Sequence, residues 1–209
     1  MNETTSDDFL YQDFLEELNY KIWSTKECRF NAKSRLLKLS HAANHCRKIL
    51  LTYFITVVIL GVFNLFYQNL FDKYHLMGSI ILLLMLLLIL SQIENKKNYL
   101  SKAEEFHSCG LELSSLYNVI LLFKYIVDNQ TIENKKEFTH KIAESYQRIL
   151  KLYVEHERID TDLFKLKTSE YHNLTWLEVH FIKINYYLKT SLFFHFLIIL
   201  PPILLYITM

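Results

Sequence analysis

The stretch YHLMGSIILLLMLLLILSQI, Tyr74–Ile93, decides the fold. It carries no charge, and twelve of its residues from Leu76 onward are Leu or Ile. At about −0.3 to −0.6 kcal/mol each, they give an insertion term of roughly −5 kcal/mol. An apolar run of that length reads as a membrane-spanning helix. On its N-terminal side lies a second uncharged run, Ile49–Phe71, long enough to cross about 30 Å of hydrocarbon with some tilt. Only Asp72 and Lys73 separate the two, so they must form a tight helical hairpin. A third uncharged run, Thr190–Met209, closes the sequence. His195 and the pair Pro201–Pro202 interrupt it. It is expected to span as well, the alternative being a tail partly inserted or buried in a groove.

All 23 basic and 22 acidic residues fall outside these three runs. The mean hydropathy of +0.10 therefore averages two chemistries and excludes an ordinary soluble core. Three Gly and two Pro in 209 residues exclude turn-rich all-β folds and Gly-rich phosphate loops. A net charge of +1 exerts no global pull on nucleic acid. Cys28, Cys46 and Cys109 are odd in number and widely spaced, which indicates neither a disulfide framework nor a metal knuckle.

Basic residues set the orientation. Lys26, Arg29, Lys33, Arg35, Lys38, Arg47 and Lys48 precede the first span, and Lys96, Lys97 and Lys102 follow the second, whereas the hairpin loop has Lys73 alone. The positive-inside rule puts the N-terminus and the middle of the chain in the cytoplasm. The first span starts too late and is too long for a cleaved signal peptide. The chain thus reads as an all-α membrane protein in four parts: cytoplasmic N-terminal helices (1–48), a transmembrane hairpin (49–93), a cytoplasmic helical bundle (94–189) and a C-terminal hydrophobic segment (190–209).

Helical patterning fills the charged parts. Asp7–Ile22 carries an apolar stripe at Tyr11, Phe14, Leu15, Leu18 and Ile22. Ser24 and Glu27 have capping-box spacing, which predicts a fresh helix start there. Its stripe is Ala32, Leu36, Leu39 and Ala43, opposite a basic membrane-proximal face of Arg29, Lys33, Arg47 and Lys48. After the hairpin, Tyr99, Ala103, Phe106, Gly110, Leu113 and Tyr117 alternate by fours and threes, a heptad-like seam continuing out of the membrane and suited to side-by-side packing. Asp128–Asn134 reads as a loop. The next helix carries Phe138, Ile142, Tyr146, Ile149 and Tyr153 on one face, and a last one, with Trp176, begins near Ser169 and leads into the C-terminal run.

No catalytic or metal constellation stands out, and no cofactor is implied. His41 and His45 lie one turn apart at the membrane edge but lack a carboxylate at the spacing a zinc site needs. His156, Glu157, Asp160 and Asp162 cluster at a helix end; a hydrogen-bonded structural corner at His156 and Asp160 is preferred to an acid–histidine catalytic site. His195 is costly in an apolar run and is expected to be buried against protein. Thr56, Asn64 and Gln68 share a stripe of the first span, and are either a partly polar pore lining in an oligomer or interhelical hydrogen-bonding glue. The basic face suits anionic lipid headgroups. Direct nucleic-acid binding there is compatible with the charge but not indicated.

The run Trp23–Leu36 (WSTKECRFNAKSRL), followed at once by the hairpin, resembles the SLATT proteins, the SMODS- and SLOG-associating two-transmembrane effectors of bacterial conflict systems. Tyr99, Ala103–Glu104, Phe106, Glu112–Leu113 and Leu116–Tyr117 look like that family's post-membrane helix. Tyr146, Ile149–Leu150, His156 and Asp160 look like its later Tyr…Ile-Leu…Asn-His…Asp stretch, with Glu155 standing where Asn is expected. The C-terminal apolar segment is similar to subfamily five.

The resemblance implies a pore-forming effector of anti-phage, abortive-infection defence in the bacterial inner membrane. Such an effector forms a homo-oligomer and permeabilises the membrane when a neighbouring-gene partner signals infection. In subfamily five that partner is a reverse transcriptase in preference to a nucleotidyltransferase. No enzymatic activity is expected. A non-conducting adaptor that recruits a soluble defence partner through the acidic N-terminal helix is the alternative.

Overall fold

The computed structural model describes residues 3–67, 72–126 and 132–208, and side chains within 14–67, 72–125 and 133–204. It is all-α: α1 (Glu3–Phe66), α2 (Lys73–Lys97), α3 (Tyr99–Ile126), α4 (Ile132–Leu152), α5 (Arg158–Lys167), α6 (Trp176–Tyr187), a π-helical turn (Leu188–Leu192) and α7 (Phe193–Thr208). No strand occurs among the described residues. Among the described residues, three helical stretches are long and apolar enough to cross a membrane, so the expected fold class holds, third segment included.

The chain packs as two compact units, Met1–Arg35 with Ser101–Ile182, and Leu36–Leu100 with Lys183–Met209. In the first, α1, α3 and α4 share a core of Leu18, Ile22, Cys109, Leu113, Ile120, Ile142 and Tyr146. Phe123 stacks on Phe138 with centroids 3.6 Å apart. The expected stripes of α3 and α4 supply Leu113, Ile142 and Tyr146 of this core, and the α3 seam is spent inside the chain. Phe30 of α1 lies so close to Gly110 that a Cβ there would sit 2.9 Å from its ring. Lys26 lies 4.6 Å from the Tyr117 ring centroid. Any larger side chain at position 110 must displace the Phe30 ring, which gives a physical reason for a glycine inside this helix.

In the second unit, Ala43, Leu50 and Val57 of α1 are buried, as are Leu76, Leu83 and Leu90 of α2. Each set repeats every seven residues, so each forms one buried column along its helix. Asp72 caps α2, accepting the Tyr74 N–H at 2.8 Å. The opposite face of α2 and much of the outer face of α1 remain apolar and exposed, as lipid contact requires.

Four local expectations change. No helix starts at Ser24: α1 runs through it without a break, and the Ser24 hydroxyl donates to the Lys21 carbonyl instead of capping. The post-hairpin seam lies wholly on α3 but does not run straight out of the span, because Asn98 takes a left-handed conformation (φ 43°) that ends α2 before α3 begins at Tyr99. Ile132–Asn134 are already helical; the rest of the expected loop, 128–131, lies outside the described residues. The last helix begins at Trp176, not near Ser169. There the Thr175 N–H donates to Glu178 Oε2 (2.8 Å) and the Glu178 N–H to Thr175 Oγ1 (3.4 Å). That reciprocal pair is a capping box the sequence offers as Thr175-x-x-Glu178.

Candidate functional site

The first unit's polar centre lies where α1 meets α5. Cys28, Asn31, Ala32 and Arg35 of α1 are all buried, at i, i+3, i+4 and i+7 spacing. Facing them, Asp160 of α5 is fully buried. Arg35 donates from Nε to Asp160 Oδ1 at 2.8 Å and from Nη2 to Oδ2 at 3.1 Å, a two-pronged guanidinium–carboxylate pair. Arg35 Nη1 also lies 3.0 Å from Glu157 Oε1. The Glu157 N–H donates to Asp160 Oδ2 at 3.1 Å, so Asp160 also satisfies the open start of α5. Asn31 Nδ2 donates to the Asp160 carbonyl (3.1 Å), and Lys167 Nζ to Asn31 Oδ1 (2.6 Å). Burial disfavours the charged Arg35, but the bonds and charges of Asp160 and Glu157 outweigh it and raise its pKa.

His156 stands beside this pair and not in it. Its Nε2 bonds Thr161 Oγ1 at 3.1 Å, while its Nδ1 is buried with no partner among the described residues. Burial, then the nearby Arg29 charge, holds its pKa below the ordinary value, so the ring is kept neutral. The Cys28 thiol approaches the same Thr161 hydroxyl at 3.8 Å. Burial pushes that thiol up to about 11, so Cys28 is a protonated core group near neutral pH and not a nucleophile. Of the expected corner, Asp160 is held in a buried ion pair, with Arg35 as the partner that sequence reasoning missed. Nothing local announces a pair separated by so much chain; the one signal is that Asn31 and Arg35 flank the apolar stripe one turn apart.

The basic membrane-proximal face does not survive as a single face. Arg29 is 2% exposed, with Nη1 donating to the Val154 carbonyl and its guanidinium 5.5 Å from the Phe106 ring centroid. Its aliphatic stem and planar head fit between helices, where the expectation put them in solvent. Lys33 is half-buried, and only Arg47 and Lys48 are exposed. Arg47 Nη1 pairs with Glu94 Oε2 at 2.9 Å across the hairpin base.

Of the three polar residues of the first span, Thr56 and Asn64 differ in exposure. Thr56 is exposed, and its hydroxyl donates to the Thr52 carbonyl at 2.9 Å. Asn64 is half-buried and falls seven residues beyond Val57, on the same side of α1. Gln68 lies outside the described residues. His195 is exposed, contrary to the expected burial, and its Nδ1 is 2.8 Å from the Tyr187 hydroxyl. His41 and His45 are both exposed on α1.

No curated protein and no solved structure matches the chain. A sequence model of one family does, over residues 11–208, a range that takes in the hairpin, the ionic corner and the C-terminal apolar helix together. With nearly its whole length so matched, the chain belongs to the SMODS and SLOG-associating 2TM effector domain family 5, a family of membrane effectors.

Proposed function

We propose that the protein is a non-enzymatic, pore-forming effector of bacterial anti-phage defence. It sits in the inner membrane with its N-terminus in the cytoplasm and acts as a homo-oligomer. The observation that carries this reading is membership of a membrane effector family over residues 11–208, hairpin included. One hairpin encloses no channel, so several copies must surround any pore. Activation comes from a neighbouring-gene partner, a reverse transcriptase in preference to a nucleotidyltransferase. Since α1 carries both Arg35 and the first span, a displacement at the Arg35–Asp160 corner has a continuous helix along which to act.

The test is membrane depolarisation and dye uptake in cells that co-express the chain with its activating partner. Loss of membrane integrity before growth arrest supports a pore, and an intact membrane during arrest overturns it. A non-conducting adaptor is the second reading, and one observation favours it. Thr56 is satisfied by its own helix and Asn64 is half-buried, so neither demands a wet lumen. Asn64→Leu and Gln68→Leu separate the two, since an adaptor tolerates both and a pore lined by them loses conduction.

A further inference from the structure

Charge divides unevenly between the two compact units. The first, Met1–Arg35 with Ser101–Ile182, holds 15 basic and 20 acidic residues. The second, Leu36–Leu100 with Lys183–Met209, holds 8 basic and 2 acidic, a net charge of +6 in a chain whose total is +1. Asp72 and Lys73 of the hairpin loop offset one another, so the excess lies at the other end of the spans. It comes from Arg47 and Lys48 of α1, Lys96 and Lys97 in the last turn of α2, Lys183 of α6 and Lys189 of the π turn, joined by Lys38. All seven side chains are exposed.

Contacts inside the second unit draw these segments together. Arg47 Nη1 meets Glu94 Oε2 at 2.9 Å, two residues before Lys96. Lys38 Nζ lies 4.9 Å from the ring centroid of Tyr186, which stands three residues from both Lys183 and Lys189. Glu94 is the unit's one carboxylate besides Asp72, and Arg47 occupies it. Among the described residues none of the six lysines of this collar has a carboxylate partner within its unit. Arg29 and Lys33, which the sequence grouped with Arg47 and Lys48, belong to the first unit instead.

Each cluster sits where an uncharged run begins or ends. Lys48 immediately precedes Ile49, Lys96 follows Ile93 by three residues, and Lys189 immediately precedes Thr190. Those runs lie in the helices long and apolar enough to cross a membrane. Where such a run stops, a phospholipid places its headgroup, so an anionic one stands at the height of the collar. Lysine and arginine reach it with the charge outward and the stem along apolar helix surface. Each basic side chain near an anionic surface strengthens the attraction about fivefold. A dissolved anion gains nothing from the adjoining apolar helices, and an acidic protein or a nucleic acid would have to lie along the membrane to touch all three segments.

We infer that this collar binds anionic phospholipid headgroups, so that the second unit selects anionic over neutral lipid at its boundary. The inference rests on the membrane helices alone and holds for a pore and for an adaptor. The experiment places the full chain in phosphatidylcholine nanodiscs with a trace of spin-labelled phosphatidylglycerol or spin-labelled phosphatidylcholine. Electron spin resonance then reads the share of each label immobilised by the protein. Association several-fold stronger for phosphatidylglycerol, weakening as salt is raised, is the expected result. Equal association of the two labels overturns the inference, whatever the variants do. Changing Lys48→Gln, Lys96→Gln, Lys97→Gln and Lys189→Gln together should remove most of the preference at unchanged helicity. The matched set Lys21→Gln, Lys141→Gln, Lys151→Gln and Lys165→Gln, all exposed on the first unit, should leave it intact. An equal loss in both sets would assign the effect to net charge and count against the collar. Inorganic phosphate that abolishes the preference where sodium chloride of equal ionic strength does not would assign the collar to a soluble anion. A DNA oligonucleotide that binds the unaltered chain in plain phosphatidylcholine, with no preference between the lipid labels, would assign it to nucleic acid; either outcome overturns the inference.

Discussion

Two arginines on α1 make the same kind of bond in different surroundings. Arg35 meets Asp160 at 2.8 Å with side-chain exposures of 6% and 0%, and Arg47 meets Glu94 at 2.9 Å with exposures of 49% and 18%. Distance does not distinguish them; burial does. The buried pair has lost its water, and each partner depends on the other to compensate. The exposed pair exchanges its bond with solvent at little cost. The first unit is thus specified by polar groups that cannot be left alone, and the second by apolar columns that lipid or protein can cover equally well.

The strongest way to break this contrast is Asp160→Ala. It leaves Arg35 buried with only the exposed Glu157 and strips the start of α5, and should cost about 3–5 kcal/mol. Thermal melts in detergent would detect it. The double change Arg35→Met with Asp160→Leu should cost clearly less than Asp160→Ala alone, since no stranded charge remains. A double mutant as damaged as the single would show that shape, and not charge pairing, holds the corner.

Next in size is Gly110→Val. Its side chain must displace the Phe30 ring, an overpacking expected to cost about 1–3 kcal/mol. The same melts read this loss, and Phe30→Leu should recover part of it. A change at Gly78 of α2, where a Cβ meets nothing within 4 Å, should have a far smaller effect on packing.

A pH dependence sharpens the comparison further. The folded pKa of His156 is lowered, so between its ordinary value and that lower one the unfolded chain binds the extra proton. Stability is therefore complete above about pH 6.5 and declines as the pH falls below it. His156→Gln should flatten this part of the melting-temperature profile. An unaltered profile would assign the titration elsewhere.

The smallest effect belongs to the exposed pair. Arg47→Ala should change stability by at most about 1 kcal/mol, and less at high salt. A loss as large as that of Asp160→Ala would remove the distinction between the two arginines.

Much of the architecture was legible because membrane segments obey a rule with no competitor. Backbone groups in hydrocarbon must bond within their own helix, so an uncharged run such as Tyr74–Ile93 has one outcome. The stripes of α3 and α4 were legible for a related reason, since an apolar face at helical spacing must be covered. Local signals misled where packing overrode them. Ser24 has the spacing of a cap, yet the stripe on both sides of it is buried in one line, and a break would expose Leu18 or Ile22. Arg29 reads as surface charge until Phe106 and the Val154 carbonyl are known to surround it.

By itself the sequence determined that the chain is helical, that it has a hairpin, and that a third apolar segment follows, because hydropathy and period are properties of neighbours along the chain. Only the tertiary structure decided that Arg35 answers Asp160 and that Arg29 is buried between the Phe106 ring and the Val154 carbonyl. Those outcomes depend on which distant groups are brought within about 3 Å of one another. A buried charge or polar group selects its partner by desolvation and geometry, and neither is written in its local spacing.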